Sequence, residues 1–144
     1  MSTVRDLLAR KGTLVVSVDP DASVREAAML MNTHGIGGVL AMSNGMLAGI
    51  FTERDVMRRV VATGLDPATT RVADVMTRDV VTTNADISVA ECRALMSTRR
   101  IRHVPVADGA EIVGLITSGD ILAYEVVLQE TQITELQRYV FDLH

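Results

Sequence analysis

Gly114-Leu115-Ile116-Thr117-Ser118-Gly119-Asp120 repeats Gly49-Ile50-Phe51-Thr52-Glu53-Arg54-Asp55 at a spacing of 65 residues. The same offset carries Val15-Val16 onto Val80-Val81 and Ser23-Val24 with Glu26 onto Ser88-Val89 with Glu91. It also carries Leu30-Met31 onto Leu95-Met96 and Ile36 onto Ile101, with no gap from Thr13 to Asp120. An internal repeat constrains the fold more than any local signal, because each copy must bury its apolar face against the other. The chain is one domain built from two copies of one unit.

Each copy reads in the same order. A short helix, roughly Val4 to Arg10, stops at Gly12 and is followed by a β-branched run, Leu14 to Val18, suited to a buried strand. Ser23 and Glu26 form a capping box for a helix that ends near Gly35. Two strands, Gly38 to Met42 and Met46 to Phe51, flank the Asn44-Gly45 hairpin turn, and Thr52 opens a helix running to about Thr63. The second copy has a lead-in over Val72 to Met76, a strand over Val80 to Thr83 and a capping box at Ser88 and Glu91. A hairpin follows around Asp108-Gly109. The lead-ins align at an offset of 68, so the first copy has three extra residues around Ala9 to Gly12. The predicted fold is α/β: two β-α-β-β-α repeats about a pseudo-two-fold axis, which creates two clefts. The predicted divisions are 1–66, 67–124 and a helical tail, 125–144.

Charge and composition exclude several functions. The net charge of −4 argues against nucleic acid as a bulk partner. No apolar run is long enough to span a bilayer, and the N-terminus lacks a signal-peptide pattern, so a cytoplasmic protein is expected. Cys92 reads as a small buried hydrophobe, and three scattered His and one Cys make no metal site. There is no paired acid and base and no activated nucleophile, so no catalytic residue and no enzyme activity are expected. Thirteen of the fourteen basic side chains are Arg. Arg58-Arg59 reads as a solvated helix face, and His34 as a complement to a helix C-terminus. His103 reads equally as a structural histidine or a phosphate contact.

Val72-Ala73-Asp74-Val75-Met76-Thr77, Arg102-His103-Val104-Pro105-Val106 and both Gly-x-x-Thr-x-x-Asp stretches resemble a tandem pair of cystathionine-β-synthase (CBS) domains, a Bateman module. The resemblance covers about residues 2 to 124 and looks like a stand-alone protein of that family. It implies a regulatory module that binds an adenosyl ligand and signals its occupancy to a partner protein. AMP or ATP is favoured, with S-adenosylmethionine or NAD as alternatives. The resemblance further implies that each cleft mixes the two copies. Cleft A would combine Thr117 and Asp120 with Val16, Ile36, Gly37, Arg102 and His103. Cleft B would combine Thr52, Arg54 and Asp55 with Val81, Ile101 and Arg102.

The residue types suit a nucleotide independently. A helix N-terminus favours phosphate, a Thr hydroxyl adds a donor, and a carboxylate one turn in can accept from a ribose diol. Thr-x-x-Asp can also serve only as a helix cap. The clefts should be unequal. Gly37 and Gly38 stand where the second copy has Arg102 and His103, Leu40 replaces Pro105, and Glu53 adds negative charge at cleft B. Cleft A is therefore expected to be the tighter site.

Beyond Ile121 no Gly or Pro interrupts the chain, so one helix should run to about Asp142. Leu122, Val126, Ile133, Leu136, Val140 and Leu143 form a heptad seam, with Gln129 in its one gap. The seam either packs on its own domain or, as favoured, joins two chains in a homodimer. An interaction subunit acting through its helical surfaces is the alternative function.

Overall fold

A capping box opens the chain: Asp6 N–H donates to the Thr3 hydroxyl at 3.3 Å, and the Asp6 carboxylate accepts from Thr3 N–H at 2.9 Å. It starts α1 (Val4–Lys11). The computed structural model, which describes residues 1–142, continues with β1 (Ser17–Val18), α2 (Val24–His34), β2 (Gly38–Ser43) and β3 (Met46–Thr52). Next, α3 (Glu53–Asp55) passes into a π-helical segment, Val56–Val61. The second repeat has α4 (Val72–Val75), α5 (Val89–Arg99), β4 (His103–Asp108), β5 (Glu111–Thr117) and α6 (Ser118–Asp142). This is the expected α/β plan of two repeats and a long last helix. Leu143 and His144, the ends of the predicted seam and tail, lie outside the described residues.

The hairpins follow their turn chemistry. Asn44 and Gly45 both have positive φ, 53° and 76°, which a tight two-residue turn between twisted strands requires. Each hairpin carries a register shift at the same place, Ala41/Met42 and Val106/Ala107. The predicted first strands are shorter than expected, and in the second repeat the strand is lost. In repeat one, Leu40 N–H donates to Val16 O at 3.1 Å, and Ser17–Val18 pair in parallel with β2. Pro105 occupies the position of Leu40 and has no N–H, so the equivalent rung to Val81 cannot form. Only Thr83 bridges to β4, through Thr83 N–H to Pro105 O at 3.0 Å and Ala107 N–H to Thr83 O at 2.8 Å. Leu14, predicted to be buried, is 79% exposed.

Two further elements depart from expectation. The helix after Thr52 is mostly π-helical, with Ala62 N–H bonded to Met57 O and Leu65 N–H to Val60 O, both at 3.0 Å. The wide turn buries Val60 while Arg59 donates to the carbonyls of Val75 and Met76. The second capping box is complete, but at Ser23 only the bond from Glu26 N–H, at 3.0 Å, is formed among the described residues.

The cores are exchanged between repeats. Val4, Leu7 and Leu8 of α1 pack with Val89, Cys92, Met96, Val104, Ile116 and Ile121 of the second repeat. Val72, Val75 and Met76 pack with Val24, Ala27, Met31, Val39, Phe51 and Val60 of the first. Backbone bonds dock the exchanged helices: Val4 N–H to Ile87 O at 2.9 Å and Val72 N–H to Ala22 O at 2.8 Å. Between the hairpins, Leu40, Ile50 and Leu115 are covered by Val15, Val80, Leu47 and Ile112. That seam is the pseudo-two-fold interface.

The repeated glycines make room for the exchanged helices. A Cβ on Gly114 would lie 2.8 Å from Leu8 Cδ2, and one on Gly49 would lie 2.6 Å from Met76 Sδ and 2.7 Å from Thr77 O. A leucine methyl can rotate away, whereas a backbone carbonyl held in place by hydrogen bonds cannot. We therefore expect Gly49→Ala to cost roughly 1–3 kcal/mol, as overpacking does, and Gly114→Ala to cost less. Chemical denaturation of the two variants measures both, and equal losses would contradict this account.

Candidate functional site

Each repeat ends its second hairpin strand at a Thr that starts a helix. In the second repeat Thr117 N–H donates to Asp120 Oδ2 at 2.8 Å, and Asp120 N–H donates to Thr117 Oγ1 at 3.1 Å. In the first, Thr52 N–H and Thr52 Oγ1 both donate to Asp55 Oδ2, at 2.9 and 3.3 Å. The next residue ties the helix to the strand start of its own repeat: Glu53 N–H to Gly37 O and Ser118 N–H to Arg102 O, both at 3.0 Å. Both caps therefore use Oδ2. Asp55 Oδ1 faces Arg59 Nε at 3.6 Å, while Asp120 Oδ1 has no protein partner among the described residues. The Ser118, Glu53 and Asp120 N–H groups are already bonded, so the helix starts offer fewer free donors than expected. Positive charge comes instead from side chains.

Two clefts flank the pseudo-two-fold axis. Cleft A, about 540 Å³, brings together Val16, Ile36, Gly37, Arg102, His103, Thr117 and Asp120. Cleft B, about 260 Å³, brings together Thr52, Arg54, Asp55, Val81, Ile101 and Arg102. Each cleft thus joins a Thr-Asp helix start of one repeat to apolar side chains of the other. Gly37, Glu53, Arg102 and His103 line both, forming a shared wall. Glu53 was expected at cleft B alone, but it leans over Gly37, where a Cβ would lie 2.8 Å from Glu53 Oε1. A Cβ on Gly38 would lie 3.0 Å from His103 Nε2. The axis has room for one large side chain at these equivalent positions, and His103 takes it.

Several lining residues were not singled out from the sequence. Lys11 enters cleft A, where its Nζ donates to Leu115 O at 2.6 Å and pairs with the Asp120 carboxylate. The only signal for it was the three-residue excess in the first lead-in. Arg58 and Arg59 are exposed, as expected, and also border cleft B together with Asp79 and Arg100. His34 ends α2, as expected, and also reaches cleft A. Cys92 is fully buried, and that burial raises its thiol pKa, which leaves it a packing residue. No group of three or more His, Cys, Asp or Glu among the described residues could hold a metal ion.

A family model for the CBS domain matches twice, at residues 3–62 and 72–126. The chain belongs to the CBS domain family. It is 35% identical over 121 residues to the CBS domain-containing protein YhcV of Bacillus subtilis, covering 84% of each chain. It also superposes on the CBS-domain containing protein ATU1752 from Agrobacterium tumefaciens with a TM-score of 0.82 and 37% identity. That match covers 86% of this chain and 99% of the other. The CBS domain pair of protein MJ0100, solved in complex with 5′-methylthioadenosine and S-adenosyl-L-methionine, gives a TM-score of 0.76 at 28% identity. There 86% of this chain and 95% of the other are covered.

The wall between the two CBS clefts carries a titratable group. Burial pushes the His103 pKa below the usual histidine value, against the attraction of Glu53 and Asp120 and with the help of Lys11 and Arg102. The unfolded chain therefore binds a proton at this site at higher pH than the native one does. Stability should fall as pH drops below about 6.5, towards the depressed native pKa. Melting temperatures of the wild type and His103→Gln, read from about pH 7.5 to about pH 5.5, test this: the variant should show the shallower decline. Parallel curves would exclude His103 as the source.

Proposed function

We propose that this CBS pair is a regulatory module that binds an adenosyl nucleotide in its clefts, AMP or ATP in preference to S-adenosylmethionine or NAD, and signals occupancy to a protein partner. One observation carries the reading. At each helix start the cap engages one carboxylate oxygen; among the described residues the other is unpaired in Asp120 and lies 3.6 Å from Arg59 Nε in Asp55. The carboxylate can accept from a ribose diol opposite apolar side chains of the other repeat that suit a base. The complex of the MJ0100 pair with two adenosyl compounds supports the ligand class. Thr117, Asp120, Val16, Ile36, Gly37, Arg102 and His103 would form the tighter site, because it is the larger and Asp120 Oδ1 is unpaired there. Thr52, Arg54, Asp55, Val81, Ile101 and Arg102 would form the second. Neither cleft is assigned a catalytic role.

The tail supports a homodimer. Every described side chain from Leu128 to Phe141 is exposed, so the stripe does not pack on its own domain. Leu122, Ile133, Leu136 and Val140 are each more than half exposed. Apart from Gln129, β-branched residues alternate with Leu along this seam, the arrangement that favours two parallel strands. The same exposed helix is the feature that favours the second reading, an interaction subunit.

Two experiments separate these readings. A panel of AMP, ADP, ATP, S-adenosylmethionine and NAD at millimolar concentration should contain at least one ligand that raises the melting temperature. Asp120→Ala should weaken its binding more than Asp55→Ala, each by the roughly 1.5–3 kcal/mol of a charge-assisted hydrogen bond. No shift and no binding heat across the panel would leave only the interaction subunit. For assembly, burying one large aliphatic side chain is worth roughly 1.5–3 kcal/mol, so Leu136→Asp should move a dimer towards monomer in light scattering. A wild-type monomer at micromolar concentration would end the dimer reading.

A further inference from the structure

Cleft A contains the only lysine of the chain. α1 spans eight residues, whereas its counterpart α4 spans four, and Lys11 is the last residue of the longer helix. The extra helical length brings Lys11 Nζ to the Leu115 carbonyl and to Asp120 Oδ2. The Lys11 and Asp120 side chains are partly shielded, 28% and 25% exposed. At the other cleft, the segment after α4 contributes Asp79 and no cation. The two clefts thus carry opposite charges in the stretch after the lead-in.

The ion pair limits what Asp120 can do. A carboxylate oxygen has two lone pairs, and Oδ2 already accepts from Thr117 N–H and from Lys11. A vicinal diol that engages both oxygens must therefore displace the ammonium from Oδ2. The displaced ammonium remains in a half-buried wall, with one protein carbonyl as its acceptor and Arg102 in the same cleft, while the Glu53 carboxylate leans over Gly37 and makes no ion pair with Lys11 among the described residues. It needs an anion in place of the one it lost. A nucleoside phosphate supplies that anion on the same molecule as the diol. An uncharged nucleoside does not, and a sulfonium compound adds a further positive charge.

We propose that Lys11 is a specificity-determining residue that restricts cleft A to phosphorylated adenosyl ligands. This rests on the adenosyl reading of the clefts. Calorimetry with AMP and adenosine as the two probes tests it, using the intact chain with Asp55→Ala, which weakens cleft B so that cleft A dominates the signal. In that background AMP should bind about ten-fold or more tighter than adenosine. Adding Lys11→Met, which keeps the aliphatic stem, should collapse the ratio towards one by weakening AMP and strengthening adenosine. Lys11→Arg should restore most of it. Lys11→Gln gives the same test if the Met variant fails to fold by circular dichroism. An unchanged AMP-to-adenosine ratio in the neutral variants, with AMP still bound, overturns the role of Lys11 alone. Absence of AMP binding in the Asp55→Ala background overturns the ligand reading of cleft A and this inference with it.

Discussion

The exchange of lead-in helices is the contact on which the rest of the structure depends. α1 completes the second core and α4 the first, so neither repeat has a closed interior without the other. Burial of Val4, Leu7 and Leu8 alone is worth several kcal/mol at about 1.5–3 kcal/mol for each large side chain. That is comparable with the whole net stability of a small domain. The helices dock closely because Gly49 and Gly114 present bare backbone beneath them. The exchange also brings the hairpins face to face along Leu40, Ile50 and Leu115, with a cleft on either side. The glycine of each Gly-x-x-Thr-x-x-Asp stretch thus serves the docking of the opposite helix, and the Thr and Asp serve the cleft.

The two copies of the unit differ where they meet on the axis. His103 fills the space that a side chain on Gly38 would need, and Glu53 fills the space over Gly37. Pro105 removes one N–H and with it most of a strand. Lys11 enters one cleft and Asp79 the other. Each difference is a single-residue event, yet together they leave two clefts of different volume and charge around a common wall. Gly37, Glu53, Arg102 and His103 belong to both clefts, so the two share charged groups across a common wall.

The tail has a different physical status from the repeats. The α1, α5 and α6 helices meet near Ile121, and Arg93 pairs with Glu125 at 2.6 Å. Past Val127 the helix leaves the domain with its apolar stripe uncovered. No helix of the described residues is long and apolar enough to cross a membrane. A long isolated helix is marginal in water, so the stripe gains most from a surface that covers it.

The sequence alone determined the number of repeats, the hairpin turns, the Ser88 cap and the Thr-x-x-Asp helix starts that border each cleft. These are encoded by identities at fixed spacing, and a gapless offset of 65 residues aligns the local signals of one copy with those of the other. Asn44-Gly45, Ser88 with Glu91 and Thr117 with Asp120 each act within a few residues of themselves, so their roles could be read directly. Tertiary structure decided what depends on contacts between the copies. Lys11 meets Asp120 across 109 residues of chain, and Arg59 bonds to the carbonyls of Val75 and Met76 at the end of α4. Glu53 leans on the shared wall instead of belonging to one cleft. The missing strand of the second repeat shows the boundary between the two kinds of information. Val80 to Thr83 has the composition of a strand, but strands are completed by partners, and the partner there is a proline with no N–H to donate.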